Sequence, residues 1–337
     1  MINKRSHGQY FTVNNPFIYS PFKNWLIKAL RDTIDINGEA KILEPFCGIN
    51  NIPNLVEEAI EDNFYWECYD IDPEVINKNT SIHKITTMDV FKTFPTNCNI
   101  VITNPPYLAK NSAKRRNLKF PNIIYDDLYK FSLDICLSNA GYVAAIIPES
   151  FIVQNIFHNR LYAVISLTMK MFDDTECPVC LALFVPEKKD LDFKIYKNEF
   201  FIGNYLELLK HKTFNNKSYP LKFNDPNGEI ALFAIDNNKK DSIYFDFGDK
   251  IDNKKIKETS RSYTRIKIPF CFTREDICDI INISNNTLTQ FRKDTKDIFI
   301  TSFKGLRKDG FYRRRLDFIQ ARQILSYAID IVKNQKE

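Results

Sequence analysis

The chain has 337 residues, enough for one large domain or two ordinary ones, each with its own core. Its 44% hydrophobic and 26% charged residues are ordinary for a globular chain, which excludes a disordered or fibrous class. No segment approaches the roughly 18 apolar residues that span a bilayer, so no membrane partner is expected. The first residues are polar rather than an apolar signal core, and the eight cysteines are scattered as reduced thiols are, so a cytoplasmic protein is expected. Cys177 and Cys180 have the spacing of half a zinc site, but no second pair stands at ligand distance, and no metal is expected. The net charge of +5 hides an asymmetry. Residues 1–190 carry 19 Lys and Arg against 22 Asp and Glu, whereas 191–337 carry 28 against 20. A near-neutral half followed by a basic half suits a catalytic domain joined to one that binds a polyanion.

In chain order, 41–44 reads as a strand, 53–61 as a helix, 65–69 as a strand and 73–78 as a helix. Residues 99–103 follow as a strand and 126–139 as a helix with Leu128, Phe131, Leu133 and Ile135 on its apolar positions. Two more strands follow at 141–147 and 179–185. This alternation predicts an α/β domain with a mostly parallel, Rossmann-like sheet. Ligands of such sheets sit beyond the carboxyl ends of the strands. After Pro186 the rhythm changes: short strands at 229–235 and 242–247 lie between Lys- and Asn-rich turns, and a long helix covers 316–332. A boundary near 190 divides domain 1–190 from a smaller α+β domain, 191–337. Within 274–292 the stretch 279–288 has a faint helix-turn-helix look.

Asn104-Pro105-Pro106-Tyr107 stands directly after the strand 99–103. Pro106 forces Pro105 to be extended, and each ring fixes its own φ. The Pro105 carbonyl is thereby aimed beside the Asn104 side-chain oxygen. Two such acceptors can hold both hydrogens of one amino group. That pulls an aromatic amine towards tetrahedral geometry and frees its lone pair, while Tyr107 can stack on the ring.

This tetrapeptide resembles the catalytic motif of the amino-methyltransferases, and the chain is similar to their DNA N6-adenine branch. His7–Thr12, Ile42–Gly48, Glu67–Pro73, Met88–Phe91, Ala140–Pro148 and Phe172–Thr175 resemble that branch's other motifs, in the gamma order, over roughly residues 6–186. The resemblance implies a sheet whose last strand is antiparallel, followed by a target-recognition domain. It implies S-adenosyl-L-methionine as cofactor, held by Gln9, Tyr10, Phe11, Thr12, Glu44, Pro45, Phe46, Gly48, Asp70, Ile71, Asp89, Val90 and Asn104. The residues agree with it. A carboxylate at Asp70 can accept both ribose hydroxyls, with Asp72 two residues on as its competitor. Asp89 can accept from the cofactor's adenine amine, and the helix after Gly48 offers free N–H groups, with Pro53 in its first turn. One departure stands out: Ile49, Asn50 and Asn51 replace the usual second glycine, a turn that Asn can still make in a left-handed conformation.

The implied reaction is methylation of an adenine extruded from a short duplex site, its ring held between Tyr107 and Phe172. Lys114, Arg115 and Arg116, in a basic segment read as a mobile loop, and Arg261, Arg265, Lys304, Arg307, Lys308, Arg313, Arg314 and Arg315 are the candidate DNA contacts. Double-stranded DNA, a companion restriction endonuclease acting on the same site and a monomeric enzyme are the expected setting. An N5-glutamine or ribosomal-RNA amino-methyltransferase and an inactive DNA-binding relative are the alternatives. The basic second half and Gln9–Thr12 weigh against the first two, and the intact tetrapeptide and cleft acids against the third.

Overall fold

The structure is a computed structural model that describes residues 17–38, 40–168, 170–172, 177–212 and 218–336, without the side chains of 35–37 and 304. The segment Gln9–Thr12 and residues 173–175 therefore lie outside the described residues. The chain divides into two compact units, Met1–Asn204 and Tyr205–Glu337.

The first unit contains, in order, α1 (Ser20–Asn37), β1 (Lys41–Glu44), α2 (Asn51–Ile60), β2 (Tyr65–Asp70), β3 (Ile85–Thr87), β4 (Ile100–Thr103), α3 (Lys110–Arg115), α4 (Leu128–Asn139), β5 (Tyr142–Pro148), β6 (Leu161–Leu167), β7 (Val179–Phe184), β8 (Lys194–Lys197) and β9 (Phe200–Asn204). Its nine strands form one sheet in the order β3-β2-β1-β4-β5-β7-β6-β8-β9. The run from β3 to β5 is parallel, and β7 is inserted antiparallel between β5 and β6. This is the mostly parallel α/β sheet expected above, with its late antiparallel strand. Every residue of β7 is buried, as are the first six of β5, because a central strand covered on both faces tolerates only apolar side chains. The indole N–H of Trp25 in α1 donates to the Phe184 carbonyl at 2.9 Å, fixing that helix to the sheet. Helix α1 ends at Gly38, whose φ of +80° suits a residue without Cβ.

Three sequence expectations differ from the structure. Residues 73–78 form a 3-10 turn rather than an α-helix, capped by Asp72. Residues 194–204, placed beyond the boundary at 190, pair onto β6 as β8 and β9 and so belong to the first unit. Helix α1 and strand β6 were not among the expected elements.

The second unit contains α5 (Tyr205–Lys210), β10 (Lys222–Phe223), β11 (Ile230–Phe233), β12 (Tyr244–Phe247), β13 (Tyr263–Lys267), α6 (Arg274–Thr295), β14 (Thr301–Leu306), β15 (Tyr312–Arg315) and α7 (Phe318–Asn334). Four strands form an antiparallel sheet, β10-β13-β11-β12, and β14 and β15 form a hairpin. Residues 274–295 are one uninterrupted helix, not a helix-turn-helix. Its start is fixed by a capping box between Thr273 and Asp276, and nothing breaks it until Lys296 turns left-handed.

A buried ion network ties this unit together. Asp236, fully buried after β11, takes both guanidinium nitrogens of Arg292 at 2.9 and 2.8 Å, and Arg292 also donates to Asp297 at 2.8 Å. Burial alone would raise the Asp236 carboxyl, but the hydrogen bonds and charge of Arg292 hold it below its usual range. Asp236 also donates its backbone amide to the Arg314 carbonyl in β15 at 3.0 Å, and its carboxylate accepts the Arg314 amide at 3.3 Å. Arg292→Ala would leave a buried carboxylate without its partner, and is expected to destabilise the second unit by about 3–5 kcal/mol. Denaturant titration followed by circular dichroism checks this, and a loss below about 1 kcal/mol would refute the account.

Candidate functional site

The parallel strands end side by side, so their carboxyl-end residues form a row in the order Asp89, Asp70, Glu44, Asn104. At about 4.8 Å per strand the row runs for roughly 15 Å. Asp70 accepts the Gly48 amide at 2.9 Å on one oxygen and the Asp72 amide at 2.8 Å on the other. Asp72 itself is taken up in capping, accepting the Glu74 amide at 3.0 Å. Of the two acids it is thus Asp70 that faces the loop. Ile71, next to it, is 59% exposed. Asp89 accepts the Phe91 amide at 3.2 Å and pairs with Lys92, while Val90 is buried.

Glu44 is fully buried. One oxygen accepts the Thr103 hydroxyl at 2.6 Å and the Phe46 amide at 3.0 Å, and the other has no hydrogen-bond partner among the described residues. Burial pushes this carboxyl up to about 8, against the pull of those two donors. The loop after it passes through buried Pro45 and Cys47 and through Gly48, at φ +54°. Asn50 takes the left-handed conformation, φ +62°, that the missing glycine would have supplied. Its side chain does not cap α2, because its amide group donates to the His83 carbonyl at 2.8 Å. The first amides of α2 are therefore not capped by Asn50.

At Asn104 the Tyr107 hydroxyl lies 2.5 Å from the amide oxygen and 2.5 Å from the Ile146 carbonyl in β5. A phenol has one hydrogen, so it donates to one acceptor at a time. Donated to Asn104, that hydrogen fixes the direction of the amide oxygen; donated to Ile146, it fixes the phenol against β5. Tyr107 is only 9% exposed and Phe172 not at all, and their rings meet edge to face, 6.3 Å apart at 71°. The expected sandwich of a base between parallel rings is therefore not the arrangement seen. Two parallel rings flanking a third need about 7 Å of clear space, which two rings in edge contact do not leave.

Residues 108–128 form an insertion closed at its neck. Asp127 accepts the Leu108 amide at 3.1 Å, Lys110 donates to Asp126 at 2.8 Å, and Leu128 to Leu108 at 3.1 Å. Burial lifts the Asp127 carboxyl above its usual range, opposed by the amides it accepts. Lys114, Arg115 and Arg116 are exposed on or just after α3, a short helix anchored by buried Ala113 rather than an open loop. Thr103, Asp127 and Phe131 complete the site without having been singled out for it; the ring of Phe131 is linked through Phe91 to Phe46, at 5.2 and 5.4 Å. Asp127 carried a signal, an acid directly before a helical pattern. Phe131 carried none beyond apolar periodicity.

The basic candidates of the second unit separate by partner. Arg314 is 5% exposed and donates to Ser302 at 2.6 Å, so it is a structural residue and not a DNA contact. Arg307 is paired with Asp241 and Asp309, and Arg313 donates to the Asp236 carbonyl at 2.7 Å. Arg265 is half-buried and donates to the Gly228 carbonyl at 3.0 Å. Arg315 is half-buried in β15, whereas Arg261 and Lys308 are exposed. The Lys304 side chain lies outside the described residues. A cavity of about 490 Å³ lined by Glu57, Glu58, Glu61 and Asp62 opens at the opposite, amino ends of the strands, and its charge would repel a polyanion. Among the described residues no His, Cys, Asp and Glu group is arranged to hold a metal ion, and no helix is long and apolar enough to cross a membrane.

No family model and no curated protein matches the chain. Solved structures do. A Listeria monocytogenes protein assigned to the class I S-adenosylmethionine-dependent methyltransferases is 14% identical over 53% of this chain and 64% of its own, with a TM-score of 0.36. The methyltransferase subunit of a type I restriction-modification system from Streptococcus thermophilus is 13% identical over 56% and 47%, at 0.38. The M protein of the type I restriction enzyme EcoKI is 12% identical over 97% and 71%, at 0.37. The chain thus spans less than two thirds of the first two.

The raised Glu44 carboxyl has a stability consequence. From the unfolded value near 4.5 up to about 8, the folded chain keeps a proton that the unfolded chain has released. Stability is therefore highest below that window and falls as pH rises through it, by up to about 1.4 kcal/mol per pH unit. Glu44→Gln is expected to flatten this slope. Chemical denaturation at several values across that range reads it, and an unchanged slope would assign the dependence elsewhere.

Proposed function

We propose that the chain is an S-adenosylmethionine-dependent DNA methyltransferase acting on the exocyclic amine of adenine, as the modification half of a restriction-modification pair. The observation that carries the reading is the Asn104 amide, pinned by the Tyr107 hydroxyl beside β5, in a strand-end row with Glu44 and Asp70. The motif order of the sequence supports the same reading. The first unit is the catalytic domain and the second the DNA-recognition domain.

The residues present fit the cofactor. The left-handed Asn50 and the α2 amides it leaves uncapped suit a carboxylate, and Asp70 suits a pair of hydroxyls. The partnerless Glu44 oxygen is a polar group in need of a ligand. When bound, the cofactor supplies an electrophilic methyl group on a sulfonium. Asn104 and the Pro105 carbonyl accept the two hydrogens of the target amine and draw the nitrogen towards tetrahedral geometry. Tyr107 fixes the direction of the Asn104 oxygen. The extra proton of the methylated amine leaves to solvent, so no covalent link to the protein is needed. Phe172, buried behind Tyr107, supports that ring. The exposed Lys114, Arg115 and Arg116 flank the entrance as phosphate contacts.

Tritiated methyl transfer to DNA, RNA and protein substrates offered side by side tests the class, and label in DNA N6-methyladenine is expected. Label in RNA or in glutamine would select the alternative instead. Asn104→Ala is expected to slow single-turnover methyl transfer by about 100-fold or more, with much smaller changes in cofactor and DNA affinity. Asn104→Asp keeps an acceptor and should retain activity. Near-normal transfer by Asn104→Ala would remove the residue from the mechanism.

A further inference from the structure

We propose that one face of the four-stranded sheet in the second unit binds an unpaired DNA strand, whose bases stack on a row of three aromatic rings. The proposal takes its polymer from the DNA reading above, but the surface is argued from its own geometry. In the sheet register Phe233 of β11 lies directly opposite Tyr244 of β12 on one side and Tyr263 of β13 on the other. Residues directly opposite share a face, so the three rings form one row across three strands. The Phe233 and Tyr244 rings are already stacked, 4.6 Å apart at 15°. Tyr244 is 40% exposed, and Phe233 and Tyr263 are part-exposed. Their neighbours Phe245, Leu232 and Thr264 point to the other face and are buried. Burial explains that second set, but nothing in the packing requires three aromatics on the first.

The charge around the row is mainly positive. Phe233 ends its strand and Tyr244 and Tyr263 begin theirs, so the loops 234–243 and 256–262 meet at this end of the sheet. They and their neighbours carry the exposed Lys239, Lys240, Lys254, Lys255, Arg261 and Lys308. Lys308 donates its amide to the Asn238 carbonyl at 2.8 Å, and the Tyr263 hydroxyl reaches the Lys255 carbonyl at 3.4 Å, which fixes both neighbourhoods to the row. None of the six cations is in an ion pair among the described residues; of the acids here, Asp241 is engaged by Arg292 and Arg307, Asp309 by Arg307, and Asp252 accepts the Lys254 amide, while Glu258 is exposed. Unpaired cations around exposed rings suit a phosphate backbone whose bases are free to stack. A duplex keeps its bases stacked on each other and offers this row no faces.

Fluorescence anisotropy of a labelled oligothymidylate of about 12 nucleotides tests the proposal on the full chain, beside a duplex of equal length and an oligouridylate. The single DNA strand is expected to bind more tightly than the oligouridylate, and Tyr244→Ala or Tyr244→Leu to weaken it by about tenfold or more while leaving duplex affinity unchanged. Tyr244→Phe should keep affinity, and joint replacement of Lys239, Lys240 and Lys308 by Ser should reduce its salt dependence. Unchanged affinity for the strand in both Tyr244→Ala and Tyr244→Leu overturns the proposal, as does an equal loss of duplex affinity in those variants or a wild-type preference for oligouridylate. Methyl transfer measured on the same preparation separates the two readings. Strand binding without methylation of any DNA sinks the enzymatic reading alone, and methylation without strand binding sinks this one alone.

Discussion

The candidate site depends on one buried carboxyl group. Glu44 ends β1, accepts the hydroxyl of Thr103 at the end of β4, and accepts the amide of Phe46 in the loop that follows. Thr103 immediately precedes Asn104. A single oxygen therefore sets the loop proposed for the cofactor against the strand end that carries the proposed target-binding amide. The Tyr107 hydroxyl, within reach of the Asn104 oxygen and of the Ile146 carbonyl in β5, continues the chain of restraints. Two neighbouring strand ends and a loop are thus positioned by short hydrogen bonds in a dry interior, where each bond is stronger and each omission more costly than in water.

Much of this was legible in the sequence for a physical reason. Strands covered on both faces read as apolar runs, and the residues that follow them are free of packing demands, so unusual polar residues there stand out. Asn104, Asp70 and Glu44 were found in that way. Strand β6, Leu161–Leu167, is an apolar run of the same kind, but without a motif at its end it did not declare itself. The parallel pairing of β6 with β8 could not be read either, because register between distant segments leaves no local trace. The rings were misjudged for a related reason. A sequence shows that Tyr107 and Phe172 are aromatic, not that they meet edge to face.

In the second unit composition misled where partners decide. The stretch 304–315 is rich in cations, and counted as charge it looks like a DNA surface. In the structure Arg314 is buried and Arg307 and Arg313 are engaged within the unit. Alternation along β15 places successive residues on opposite faces, so three adjacent arginines cannot share one role. Lys239 and Lys240 in the loop after β11, unremarkable in sequence, are exposed and have no carboxylate partner among the described residues. Asp236 and Arg292 make that distinction possible, because the network they centre on holds the loop after β11, the end of α6 and the hairpin in one arrangement.

The protonation of Glu44 gives the first unit a last constraint. Its bonded oxygen is filled by two donors, so the proton held below pH 8 belongs on the other oxygen, the one without a partner. In that form Glu44 offers a hydrogen to an acceptor. Ionised, it offers a lone pair and a charge to a cation. A ligand with an ammonium group placed there would favour the ionised form and pull the carboxyl down towards its ordinary range. The burial that makes Glu44 by itself prefer the neutral form would then strengthen its attraction to that ligand, because a charge pair in a dry setting is poorly screened. A buried acid that is costly to ionise alone is, for the same reason, a selective partner for a cation that arrives with its own counterion in the same molecule.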